Sequence, residues 1–166
     1  MDVCVVDGWE TFKGWTPYIM GIVIYWIWHK QKGKEVIANE AKSIILKIIE
    51  VEKLNNSISN KIAYMNEKTN TKLLKDEILE FQYKTDDLHK DFDFIYEIIK
   101  NKDIKKVLDK YLAQSTLSIV RYNALLKSEI SKENKRDVAI GLQREYINCG
   151  IKIKKYLMKY ILYKLW

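Results

Sequence analysis

One proline, six glycines, two cysteines and two histidines are all that 166 residues contain of these types. Pro17 is the only proline, and the 107 residues between Gly33 and Gly141 hold neither proline nor glycine. Sheets and hairpins need such punctuation, so a stretch this long without it reads as helices joined by turns of Asn, Asp, Ser and Lys. Cys4 and Cys149 are too few for a disulfide framework or a zinc site. No P-loop, dinucleotide glycine fingerprint, CxxC pair or zinc-protease helix occurs. Neither His29 nor His89 has the upstream arginine of helical ribonucleases. The expectation is therefore a non-enzymatic chain without catalytic residues, metal or cofactor.

What the chain has instead is an apolar N-terminal run. Fourteen of the fifteen residues from Gly14 to Trp28 (GWTPYIMGIVIYWIW) are apolar, aromatic, glycine or proline, and Lys30, Lys32 and Lys34 follow at once. Aromatic residues at the edges of an apolar stretch and lysines beyond it are marks of a membrane anchor. The reading is a transmembrane helix over 14–28, with Gly14, Trp15, Tyr18, Gly21, Tyr25, Trp26 and Trp28 in the span. Residues 1–13 form a short extracytoplasmic tail and residues 29–166 a cytoplasmic helical domain. The front is acidic and offers no small-residue cleavage site, so an uncleaved anchor is favoured over a signal peptide. An interfacial helix, or an arm buried in an oligomer, is the alternative. Residues 1–28 carry a net charge of −2 and residues 29–166 a net +9. The positive-inside rule then gives a single-pass protein of a bacterial inner membrane, N-terminus outside.

Behind the anchor, Ile37, Ala41, Ile44, Ile48, Val51, Asn55, Ile58, Ile62 and Met65 step by alternating fours and threes. Four heptads in register predict a coiled-coil or bundle helix. β-branched residues at the d positions and Asn55 at an a position favour a homo-oligomer, a tetramer over a dimer. The same seam also suits an intramolecular bundle. Thr71–Lys100, Ile104–Ser128 (capped by Asp103) and a helix from about Lys132 to the end supply partners. Apolar positions expected in the second of these include Tyr111, Leu117, Ile119, Val120 and Leu125. Breaks are conceivable at Thr85-Asp86-Asp87 and at Cys149-Gly150. The fold class is all-α.

The C-terminal segment has five lysines, no acid and interleaved aromatics. Lys152, Lys155 and Lys159 share a face opposite Ile153, Leu157, Tyr160 and Ile161. With Lys154, Tyr156 and Lys164 they form the candidate site for an anionic ligand. Three uses compete: a solvated face of a core helix, contact with the inner leaflet, or capture of a nucleotide or single-stranded nucleic acid. His89 near Asp86, Asp87 and Asp93 is better explained as a solvated stripe than as a metal site.

In layout (Gly14–Trp28, the Lys30/Lys32/Lys34 flank and the glycine-free helical body) the chain resembles the small single-span membrane effectors of bacterial anti-phage systems, including the channel-forming partner of Hailong-type defence. The resemblance implies a homo-oligomer that perturbs or opens the membrane when an anionic ligand switches it. It carries over no individual functional residue. A membrane-anchored scaffold, exclusion or immunity subunit is the alternative function.

Overall fold

The computed structural model describes residues 8–66 and 69–162, with side chains from residue 12 onward. Four helices follow in order: α1 Gly8–Ala63, α2 Thr71–Ile99, α3 Lys102–Lys127 and α4 Lys132–Leu162. The all-α expectation holds, and no strand occurs among the described residues. The chain divides into two units, residues 1–36 and residues 37–166.

The second unit is a four-helix bundle with up-down-up-down order. Cross-links between helices fix the directions. Lys47 meets Asp87 and Asp91, Lys84 meets Glu50, and Lys61 meets Glu77, so α1 and α2 run antiparallel. Ser59 bonds Ala139 and Lys154 bonds Glu52, so α4 is antiparallel to α1 as well.

Each helix buries one stripe at heptad-like spacing, as an amphipathic bundle helix must. On α1 the stripe is Ala41, Ile44, Ile48, Val51, Asn55, Ile58 and Ile62, all 1% exposed or less, with Ile37 half-buried at its start. On α2 it is Leu74, Ile78, Phe81, Thr85, Leu88, Phe92 and Ile95. The proposed oligomer seam is therefore filled by the chain's own α2, α3 and α4. In this chain the heptad packs intramolecularly, so the seam by itself gives no ground for a tetramer.

Turn chemistry explains the boundaries. Asn70 Oδ1 accepts from the backbone amides of Lys72 and Leu73. Asn101 Oδ1 does the same for Asp103 and Ile104, so Asn101 and not Asp103 caps α3. Between them Lys100 ends α2 in the left-handed conformation (φ 50°, ψ 32°) and donates its amide to the Tyr96 carbonyl. α2 runs through Thr85-Asp86-Asp87 unbroken, with the Thr85 hydroxyl donating to the Phe81 carbonyl. α4 likewise runs through Cys149-Gly150.

The N-terminal stretch is helical as expected, Pro17 included, and α1 is continuous through Gly33. No helix among the described residues is long and apolar enough to cross a membrane, which corrects the expected transmembrane span. The physical reason is composition and length. Trp15, Tyr18, Tyr25, Trp26 and Trp28 are amphipathic rings suited to the interface, and Thr16 and Pro17 dilute the run further. Fifteen helical residues rise only about 22 Å, against ~30 Å of hydrocarbon.

Candidate functional site

Two features stand apart from ordinary bundle packing. The first is the N-terminal stretch of α1. Every side chain from Phe12 to Lys34 is exposed in this chain. Trp15, Tyr18, Ile22, Tyr25 and Trp26 each keep at least 59% of their surface in the open. Within the stretch Trp15 tilts onto Tyr18 with ring centroids 6.3 Å apart, Tyr25 stacks on His29 at 5.8 Å, and the Lys30 ammonium sits 5.1 Å from the Trp26 ring. A Cβ added at Gly14 or Gly21 would meet nothing within 4 Å, so neither glycine admits a close neighbour inside this chain. An apolar surface running round the whole helix is far larger than soluble monomers expose, and marks a contact surface.

The second feature is a polar layer through the middle of the bundle. On α3 the buried stripe is Ile104, Leu108, Tyr111, Ser115, Ser118, Tyr122 and Leu125. It keeps strict four-three spacing but places hydroxyls at four of seven positions. Tyr122 donates to Asn55 Oδ1 at 2.9 Å. Tyr146 donates to the Tyr111 hydroxyl at 2.5 Å, and Ser115 Oγ lies 3.3 Å from Tyr146 and donates to the Tyr111 carbonyl at 3.0 Å. Phe81 and Phe92 close the two phenols edge-on. Burial raises all three tyrosines above the usual phenol range, Tyr122 to about 12. Phenols held neutral this firmly are unsuited to proton transfer near neutral pH. The layer instead ties α1 to α3 and α3 to α4 through directional bonds, with Asn55 Nδ2 and Ser118 Oγ left unpartnered among the described residues.

The predicted Leu117 and Val120 face solvent in place of Ser115, Ser118 and Tyr122. The signal that would have found the true stripe was the unbroken four-three count from Ile104, once Ser and Tyr are admitted as core residues.

The C-terminal lysines separate. Lys154 is turned inward: its ammonium pairs with Glu52 Oε2 at 2.6 Å, both side chains largely buried. Gly150 makes room for that carboxylate, since a Cβ there would overlap Glu52 Oε1 and lie 3.0 Å from its Cδ. Lys152, Lys155 and Lys159 are exposed, Tyr156 is half-buried with the Lys159 ammonium 4.7 Å from its ring, and Lys164 lies outside the described residues. Cys4 also lies outside them. Three surface clefts of about 230 to 360 Å³ occur beside Lys47 and Tyr83, beside Met65 and Ile130, and beside Tyr96 and Lys105. The C-terminal lysines line none of these three, so these clefts do not unite them around a nucleotide. Among the described residues no cluster suited to a metal ion occurs, and His89 only approaches Asp93 at 3.8 Å.

The chain matches no known family model, no curated protein and no solved structure.

Proposed function

We propose that this protein is a non-enzymatic, bilayer-attached effector: α1 residues 12–28 enter the lipid, and the four-helix bundle remains in water beside it. The observation that carries the reading is that every side chain from Phe12 to Trp28 is exposed, an unbroken run of mostly aromatic and aliphatic surface. Lipid suits it better than water because burying such aromatic and aliphatic area contributes about 25 cal/mol per Å². Its Trp and Tyr rings belong at the headgroup boundary. Lys30, Lys32 and Lys34 then lie among anionic headgroups and keep the bundle on the cytoplasmic face.

A stretch of about 25 Å fills one leaflet and part of the next, so it acts as a wedge rather than a simple span. Crowding many wedges into one membrane thins and disorders it, which supports an effector role. The test is dye release from vesicles carrying the full chain. Leakage that climbs with surface density, and falls when Trp26 and Trp28 are both replaced by Ser, supports the wedge.

A scaffold is the second reading, favoured by Leu79, Tyr83, Phe94 and Ile98 on the outer side of α2, which are 38–72% exposed. Such residues suit docking of a partner protein. Firm vesicle attachment without leakage at any density selects it.

A further inference from the structure

The outer face of α4 near its C-terminus joins two properties that seldom meet on a solvated helix. Ile151, Met158 and Leu162 are 54%, 43% and 51% exposed. At 100° per residue they fall within about 40° of one another, forming one apolar stripe. Lys155, Lys159 and Lys152 occupy the adjoining ~80° of the same exposed side. No ion pair engages these three lysines among the described residues, and residues 151–162 contain no acid. The opposite face, Ile153 and Leu157, is wholly committed to the core. This part of α4 lies at the end of the bundle that holds Ala41 and Ile44 of α1. The antiparallel course of α4 requires it, since Ser59 meets Ala139 whereas Glu52 meets Lys154.

We infer that this face is a second lipid contact, taking anionic headgroups on Lys152, Lys155 and Lys159 and the upper acyl region on Ile151, Met158 and Leu162. A paired basic and apolar edge is what the boundary of an anionic leaflet binds. Nucleic acid would use the lysines but gives no reason for an exposed aliphatic stripe, and stacking would call for aromatics there. A second copy of the chain would bring lysines against lysines across a two-fold contact. The inference extends the bilayer attachment proposed above, but it has its own chemistry, because the N-terminal stretch needs no anionic lipid.

The experiment labels the full chain at one site, Met158→Cys in a Cys4→Ser/Cys149→Ser background, with a polarity-sensitive fluorophore. It follows emission and flotation together. Phosphatidylcholine vesicles are compared with vesicles holding one part phosphatidylglycerol in three. The expected result is flotation with both, and a blue shift only with the anionic vesicles. Lys152→Glu/Lys155→Glu/Lys159→Glu, with helicity checked by circular dichroism, should abolish the shift and weaken the anionic preference about a hundredfold, at roughly fivefold per lysine. The corresponding Lys→Gln variant should lose the shift without adding negative charge. An equal shift on both vesicles, no shift on either, or a shift persisting in both triple variants overturns the inference. So does a shift driven by protein concentration alone or by a single-stranded oligonucleotide. Flotation and blue shift confined to anionic vesicles would uphold this face and defeat attachment by residues 12–28. Flotation on both vesicles without a blue shift would do the reverse.

Discussion

The phenol of Tyr122 on α3 donates to the side-chain carbonyl of Asn55 on α1 at 2.9 Å, with both residues fully enclosed. Asn55 thus fixes register as a polar residue at an a position is expected to do, but against its own chain. Tyr122→Phe strips Asn55 of its partner and should cost about 1–2 kcal/mol, read from urea midpoints. Asn55→Ala should cost a similar amount. The double variant should cost clearly less than the sum, since the orphaned group is gone in both directions. Additive losses would mean the bond contributes nothing.

The same buried phenols make stability depend on alkaline pH. Tyr122 holds its proton to about 12 because burial disfavours the phenolate, and Tyr111 and Tyr146 are shifted the same way, chiefly by burial. In the unfolded chain each titrates near 10. The stabilising preference for the neutral form is whole below pH 10 and is lost as pH rises through the folded values. Thermal midpoints should therefore be flat from pH 7 to 9 and fall steeply between 10 and 12. Tyr122→Phe should make that fall shallower. An equal slope in the variant contradicts the assignment.

Gly150 and Glu52 offer a sign test. Alanine is worth about 1 kcal/mol over glycine inside a helix, yet here its Cβ displaces a carboxylate paired with Lys154. Gly150→Ala should be net destabilising by ~1 kcal/mol, since disturbing a largely buried pair outweighs the helical gain. In a Glu52→Ala background the same change should stabilise by ~1 kcal/mol. A stabilising effect in both backgrounds would show that Glu52 shifts aside without loss.

Lys100 carries the positive φ that ends α2. Lys100→Gly should raise stability by about 0.5–1 kcal/mol by relieving that conformation, offset in part by the freer unfolded chain. The thermal midpoint checks it, and a lower midpoint would contradict the strain.

These cases mark what was legible in the amino-acid order. The α1 heptad from Ala41 to Ile62, the α2 stripe from Leu74 to Ile95 and the starts at Thr71 and Lys132 follow from spacing and turn residues alone. What covers a face does not follow, because periodicity reports that a stripe is apolar and says nothing of whose helix lies on it. Asn55 therefore suited a partner chain and its own chain equally. The α3 stripe was missed at Ser115, Ser118 and Tyr122 because hydroxyl residues look solvated; Ser115 and Tyr122 find partners in Tyr111, Tyr146 and Asn55, while Ser118 Oγ is buried without one. Lys154 differs from its neighbours only through Glu52, 102 residues earlier. At the N-terminus, apolar character and a rise of only about 22 Å were plain in the sequence, whereas the shortfall in hydropathy was hidden by counting every tryptophan and tyrosine as lipid-loving.

The most direct test of the account is density-gradient flotation of the full chain with neutral phosphatidylcholine vesicles, followed by a wash in high salt and alkaline carbonate. Attachment through Phe12–Trp28 predicts that the protein rises with the lipid and stays there after both washes. Protein left at the bottom of the gradient, dispersed in buffer with no detergent present, would contradict it.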